Sequence, residues 1–151
     1  MGCDDVLRTM GLQASLELPE PLDPTAWGRD GQTWVFVYDG ATASSLVQAL
    51  ADVRAFVNGQ YWLPRPLRLR APYMAVIGLV DLPDAALDQA VAESDVATGM
   101  GGESFHLVAA TRATGRVVLP VPRGHRNQRV AWEKGLKMRR PDRYAQALLN
   151  P

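Results

Sequence analysis

The side chains that most clearly suggest a binding site are the cations near the C-terminal end of the chain, in the stretch HRNQRVAWEKGLKMRRPDR. The 151 residues include 16 basic and 16 acidic ones, so the formal net charge is zero. Between Arg123 and Arg143, however, eight residues are Lys or Arg, and only Glu133 and Asp142 are acidic. This segment therefore carries about +6 and the rest of the chain about −6, so a neutral protein can still have a local basic site.

The spacing of these cations favours phosphate binding. If the segment is helical, the 3.6-residue period brings cations at i, i+3, i+11 and i+14 to one face, with Glu133 among them. Trp132 borders this face and would fix the helix on the protein body. Such a stripe can displace the counterions condensed around nucleic-acid phosphates, and phosphate contacts carry no base information. We therefore predict a sequence-independent nucleic-acid-binding site formed by Arg126, Arg129, Lys137 and Arg140 and flanked by Lys134 and Arg139.

Two other interpretations of this segment are open from the sequence. The cations could form a solvated helix face that pairs with the acidic body of the same protein, since charge runs are commonly ordinary surface. They could also dock on an acidic protein partner or on a second copy of the chain, which would make a homo-oligomer. The expected partners are thus nucleic acid or an acidic protein, and the alternative function is a protein-interaction or regulatory module.

A second basic cluster, Arg65, Arg68 and Arg70, follows the aromatic pair Tyr61 and Trp62. Aromatic and cationic side chains together can stack on exposed bases and contact their backbone. The simpler interpretation is a charged edge strand or an extended loop, because three prolines exclude the segment from a sheet interior. The sequence alone does not tell whether the two basic clusters share a face.

Catalytic motifs are incomplete. The stretch GESFH brings Glu103, Ser104 and His106 together, but it lacks the second glycine of a nucleophile elbow. A strand would place Ser104 and His106 on one face without supplying an oxyanion hole. The strand-to-helix stretch YDGATASS lacks the lysine of a phosphate-binding P-loop. We therefore predict no catalytic residues and favour a binding protein over an enzyme.

Metal-binding patterns are missing as well. The two histidines, His106 and His125, are far apart, and Cys3 is the only cysteine. This composition allows no thiolate metal cluster and no internal disulfide. We predict neither a metal nor a cofactor.

The elements that would position these residues follow from the periodicity of the apolar residues. Continuous apolar runs predict buried inner strands, and apolar residues at helical spacing (Leu46, Leu50, Val53, Val57) predict a helix with a capping box at Ser45 and Gln48. A Gly-containing turn between two further apolar runs predicts a hairpin. The predicted elements are strands Thr33–Asp39 and Tyr73–Asp81, helices Thr42–Asn58, Pro83–Asp95, Asn127–Arg140 and Pro141–Asn150, and the hairpin FHLVAAT-RATG-RVVLPV.

The order β-α-β-α-β-β, followed by helices, predicts a single α+β domain with two helices packed on a mixed sheet. We expect a short N-terminal helix and a proline-rich connector in residues 1–32, an α+β core in 33–122, and a basic helical segment docked on the core in 123–151. Because the connector is poor in periodic apolar residues, deletion of Met1–Leu16 should leave a folded domain.

The chain contains no apolar run of the roughly 18 residues that a membrane-spanning helix needs. Its acidic start also lacks the basic and then apolar pattern of a signal peptide. We therefore expect a cytoplasmic protein without a membrane partner.

Overall fold

The computed structural model describes residues 1–151 and contains one six-stranded mixed sheet. The strands are β1 (Ala26–Asp30), β2 (Thr33–Asp39), β3 (Tyr73–Val80), β4 (Ala97–Thr98), β5 (Ser104–Thr111) and β6 (Arg116–Val118). The sheet order is β1-β2-β3-β5-β4, with β6 also paired to β5. β2, β3 and β5 are parallel and form the centre, whereas β1, β4 and β6 run antiparallel to their neighbours.

Five helices accompany this sheet. They are α1 (Cys3–Thr9), α2 (Ala43–Gly59), α3 (Ala85–Ala92), α4 (Arg126–Arg139) and α5 (Pro141–Leu149). Helices α2 and α3 connect the parallel strands and pack on one face, while α1 and α5 cover the other. The predicted α+β class, with a mixed sheet, two packed helices and C-terminal basic helices, is confirmed.

The face under α2 is built from the predicted helical stripe. Leu46, Val53 and Val57 are fully buried against the sheet, and Leu50 is half-buried at the margin of the stripe. Trp34 and Phe36 of β2 stack with their ring centroids 6.4 Å apart beneath this helix. β2 and β3 are therefore inner strands, as their continuous apolar runs predicted.

The opposite face of the sheet includes the N-terminus. Val6 and Leu7 of α1 and Leu12 are buried in the same cluster as Tyr144 and Leu148 of α5. The expectation that Met1–Leu16 can be deleted is therefore wrong, because these side chains are part of the core. The prediction was based on the proline-rich connector, which does not show whether the short helix before it packs on the sheet.

Three local features differ from the sequence prediction, and the loop at residues 61–72 matches one of its two alternatives. The proline-rich connector contains strand β1, whose Trp27 pairs in register with Phe36. Helix α2 is capped by Thr42, whose hydroxyl accepts from Ser45 N at 3.2 Å, rather than by Ser45 and Gln48. Residues 61–72 form a loop with one 3-10 turn at Arg65–Leu67 and no strand. The two-residue strand β4 was not predicted.

None of the helices combines the length and the apolar composition needed to cross a bilayer.

Candidate nucleic-acid interface

Helix α4 contains the predicted basic site and is attached to the body by few side chains. Trp132 is its only buried residue, at 5% exposure, and Gly135 and Leu136 are half-buried beside it. The guanidinium of Arg123 lies 5.4 Å from the centroid of the Trp132 ring. Trp132 thus fixes the helix on the body, as predicted, while most of the helix surface faces solvent.

The first turn of α4 concentrates positive charge. Its N-cap is His125, whose Nδ1 accepts from Gln128 N at 3.4 Å, and the turn contains no acidic residue. A helix N-terminus already carries a partial positive charge, which acidic residues usually offset. Arg126 and Arg129 add to this charge instead, so this end of α4 presents a strong positive potential to solvent.

Four of the six predicted cations are exposed and form no ion pair. The ion pairs of the segment from Arg123 to Arg143 are Arg123 with Asp95, at 2.8 Å, and Arg140 with Asp142, at 3.0 Å. Both lie at the ends of the segment. The acidic body therefore does not pair with these four cations, while their exposure agrees with a solvated helix face. The free cations are Arg126, Arg129, Lys134 and Lys137.

The remaining two predicted cations have other surroundings. Arg139 is half-buried, and its guanidinium carbon lies 5.2 Å from the centroid of the Tyr73 ring. Arg140 adopts a left-handed conformation with φ 48° between α4 and α5, and it is hydrogen-bonded to Asp142. Arg139 thus faces the protein at the C-terminal end of α4 rather than flanking the outer stripe.

The second basic cluster lies in the loop 61–72, which is fastened to the sheet through Glu103. This carboxylate is 5% exposed and accepts hydrogen bonds from Arg54, from Asn58 Nδ2 at 2.7 Å and from Arg65 Nη1 at 3.1 Å. Burial alone would raise the pKa of Glu103, but the hydrogen bonds from Arg54 and Asn58 and the charges of Arg54 and Arg65 outweigh it and lower that pKa. Glu103 therefore stays ionised and anchors the loop.

Arg68 provides a second anchor for the loop. Its guanidinium donates to the Asn58 side chain at 2.6 Å, to the Gly102 carbonyl at 3.0 Å and to the Leu63 carbonyl at 3.0 Å. Gly102 has φ +81°, and a Cβ at this position would lie 2.1 Å from the Arg65 carbonyl oxygen. The loop therefore rests directly on the Gly102 backbone, which only glycine allows.

The anchored loop presents its apolar and basic side chains to solvent. Trp62 is 90% and Leu69 100% exposed. Together with Tyr61, Arg68 and Arg70, among others, they line a groove of about 370 Å³. We name this depression the loop groove.

The loop groove continues toward the C-terminal end of α4. A neighbouring depression of about 510 Å³ shares Gln32, Leu69 and Arg70 with it, and its lining also includes Gly31, Ala71, Gly99 and Arg139. Arg70 of the loop cluster and Arg139 of α4 thus border two adjoining depressions, together called the channel, at the end of the sheet where the parallel strands begin. The four free cations of α4 line neither depression. Arg54, Asn58 and Gln32 were not singled out from the sequence, because their roles depend on residues far away along the chain.

Neither Ser104 nor His106 lines this channel. Ser104 Oγ donates to the Ala97 carbonyl at 3.1 Å. His106 is buried, with Nδ1 2.8 Å from the Tyr73 hydroxyl and Nε2 without a partner. Burial, and to a lesser extent the charge of Arg139, lowers the pKa of His106 to about 4. The two side chains form no hydrogen bond to each other.

The opposite end of the sheet is occupied by an ionic network. Arg112 pairs with Asp39 at 2.7 Å and with Asp81 at 2.8 Å. The hydrogen bond from Arg112 lowers the pKa of Asp39. The start of α2 is capped internally, since Thr42 and Ser45 exchange side-chain and backbone hydrogen bonds. The polar side chains at this end of the sheet are therefore paired with one another.

No group of three or more His, Cys, Asp or Glu side chains converges in a metal-binding arrangement. No family model, no curated protein and no solved structure matches the chain. Fold and surface together define a single-domain α+β protein with an exposed basic helix beside a channel lined by arginine and tryptophan.

Proposed function

We propose that this protein binds nucleic acid through the outer face of α4. The observation that supports this proposal most strongly is the absence of any ion pair at Arg126, Arg129, Lys134 and Lys137, which lie together on one exposed helix. Of the eight arginines outside residues 123–143, five form ion pairs, namely Arg8, Arg54, Arg65, Arg112 and Arg116. Cations that remain free are available to neutralise phosphates and to release counterions.

Recognition through this face is independent of base sequence. Its side chains are long and mobile cations, which fix the position of a phosphate backbone but do not read base edges. The protein therefore binds mixed-sequence strands with comparable affinity.

A charge-reversal pair tests the proposal. The double variant Arg129→Glu/Lys137→Glu changes the net charge of the protein by −4 at two exposed and unpaired positions of α4. The control, Arg8→Glu/Arg116→Glu, makes the same change in net charge at exposed positions of α1 and β6, where the arginines are paired with Asp5 and Asp88. Fluorescence anisotropy with a labelled mixed-sequence oligonucleotide should show binding by the wild type and the control and strong weakening in the α4 variant. Equal weakening in both variants would contradict a site on α4.

A second candidate function is docking on an acidic protein partner. The exposed apolar side chains Trp62, Leu67 and Leu69 favour it, because exposed Trp and Arg residues are common centres of protein interfaces. Competition separates the two functions. If the site binds acidic proteins, polyglutamate and unlabelled nucleic acid should displace the labelled oligonucleotide at similar concentrations of negative charge. If the site binds nucleic acid, displacement should require much less of the unlabelled nucleic acid than of polyglutamate.

A further inference from the structure

The indole of Trp62 is exposed although its surroundings are fixed. Tryptophan is highly buried on average in proteins, whereas Trp62 is 90% exposed. On one side, the Tyr61 hydroxyl accepts from Trp34 Nε1 at 3.1 Å, and on the other, the Leu63 carbonyl accepts from Arg68 Nε at 3.0 Å. The backbone that carries Trp62 is therefore anchored before and after it, and its ring is presented on a rigid base.

A cation and amide groups accompany this ring in the loop groove. Arg70 lines both parts of the channel, between Trp62 at one end and Arg139 at the other. The side chains of Gln32 and Gln60 also line the loop groove, and each can both donate and accept hydrogen bonds. The channel thus combines a free aromatic face, a backbone-binding cation and amides that can contact base edges.

This combination fits unpaired nucleotides. A base in a duplex is covered on both faces by its neighbours, so a protein ring cannot stack on it without disrupting the helix. In a single strand, each base presents a face on which an aromatic side chain can stack, while cations follow the backbone. A flexible strand can also bend from the α4 face into a channel, which a stiff duplex cannot do.

Other anionic partners fit the channel less well. Trp62 and Leu69 project into solvent, where a membrane surface can also contact them, but the amides of Gln32 and Gln60 in the lining of the loop groove favour a partner that forms hydrogen bonds. An acidic peptide supplies carboxylates that can pair with α4, but it does not supply a planar ring at each residue that could stack on Trp62.

We infer that the protein prefers single-stranded nucleic acid, with an unpaired base stacked on Trp62 and the adjoining phosphates bound by Arg70. This inference rests on the proposed function, since it requires one strand to contact both the channel and the cations of α4. In this inference, α4 provides affinity for any phosphate backbone, single-stranded or duplex. The channel provides the preference for single strands.

The test compares Trp62→Ala with Leu67→Ala, which removes an exposed apolar side chain from the same loop but outside the channel lining. Binding of a labelled mixed-sequence single strand and of the matching duplex is measured by fluorescence anisotropy. Trp62→Ala should weaken single-strand binding about 5- to 150-fold, the range for loss of one stacked base, and leave duplex binding unchanged. Trp62→Phe should restore most of the single-strand affinity, and Leu67→Ala should resemble the wild type.

Different failures have different meanings. Equal affinities of wild type and Trp62→Ala for the single strand would overturn the stacking role but leave the α4 site intact. A wild type that binds neither strand at about 50 mM salt would overturn the proposed function itself. Vesicles of phosphatidylcholine and phosphatidylglycerol in equal parts serve as the competing surface. Trp62-dependent binding to these vesicles without Trp62-dependent binding to the single strand would contradict the inference and assign the loop to a membrane.

Discussion

Arg65 Nη1 lies 3.1 Å from Glu103 Oε1, which joins the loop 61–72 to the residue that precedes β5. The same carboxylate also binds Arg54 of α2, so a helix, a loop and a strand end meet at one buried charge. This contact fixes the direction of the loop, and it therefore determines where Trp62 and Arg70 lie relative to α4.

Replacing Glu103 by glutamine should destabilise the protein. The variant keeps the shape of the side chain but leaves Arg54 and Arg65 without a counter-charge. Removal of one partner of a fully buried ion pair costs about 3–5 kcal/mol, and we expect about 2 kcal/mol here because both arginines are partly solvated. Urea denaturation measures the loss. The control Glu133→Gln, at an exposed position of α4, should change the free energy of unfolding by no more than about 0.5 kcal/mol. Similar stabilities of the two variants would show that the charge of Glu103 does not stabilise the fold.

Gly102→Ala should impair the channel. Its Cβ would overlap the Arg65 backbone, and φ at this position is +81°, so the loop must move away from the sheet. We expect weaker binding of single strands with retained duplex binding. Gly101→Ala is a close control, since nothing lies within 4 Å of a Cβ at that position. If both alanine variants bind single strands like the wild type, the position of the loop has no role in binding.

His106 should make stability depend on pH below neutrality. Its pKa is about 4 in the folded protein, against an ordinary value of 6.5, so the folded state favours the neutral ring. The contribution to stability is fully present above pH 6.5 and is lost as the pH falls toward 4. Between pH 7.5 and pH 5 this amounts to about 2 kcal/mol, using 1.36 kcal/mol per pKa unit.

Denaturation curves at the two pH values, compared between variants, isolate this effect. His106→Gln removes the titrating group and should lose about 2 kcal/mol less than the wild type over this interval. His125→Asn retains a helix-capping side chain at the exposed histidine and should behave like the wild type. An identical pH dependence for wild type and His106→Gln would contradict the burial of a neutral imidazole.

The N-terminal helix should be required for a stable fold. Leu7 is 1% exposed between α5 and the sheet, and Leu7→Ala should cost about 3 kcal/mol, within the range for buried leucines. Arg8→Ala, at a neighbouring exposed position, should cost no more than about 0.5 kcal/mol. Thermal or urea unfolding compares the two variants. Equal stabilities would show that Leu7 is not part of the core and that the N-terminal helix is dispensable.

The centre of the fold could be predicted because it depends on local patterns. Strands β2 and β3 are apolar on both faces, and the stripe of α2 repeats over about three turns, so each element can be recognised from its own residues. Strand β1 could not be found in this way. It is a five-residue edge strand, AWGRD, with a glycine and two charges, and only its pairing with β2 makes it a strand.

The site could be predicted in part for the same reason. The cations of α4 are close in sequence, and one helix is enough to place them on a common face. The channel could not be predicted from the sequence, because it depends on contacts of Glu103 with Arg54 and Arg65, which are 49 and 38 residues away along the chain. The sequence placed Glu103 beside Ser104 and His106, whereas its carboxylate accepts hydrogen bonds from Arg54 and Asn58 of α2 and from Arg65 of the loop.

The salt dependence of binding tests the central claim most directly. Four free cations on α4 predict that log affinity for a duplex falls with log salt concentration with a slope of about −3.6, and for a single strand of about −2.8. In Arg129→Glu/Lys137→Glu both slopes should fall to about half or less. A fluorescence anisotropy series on wild type and variant measures them. A wild-type slope near zero, or the same slope in both proteins, would contradict phosphate binding by α4.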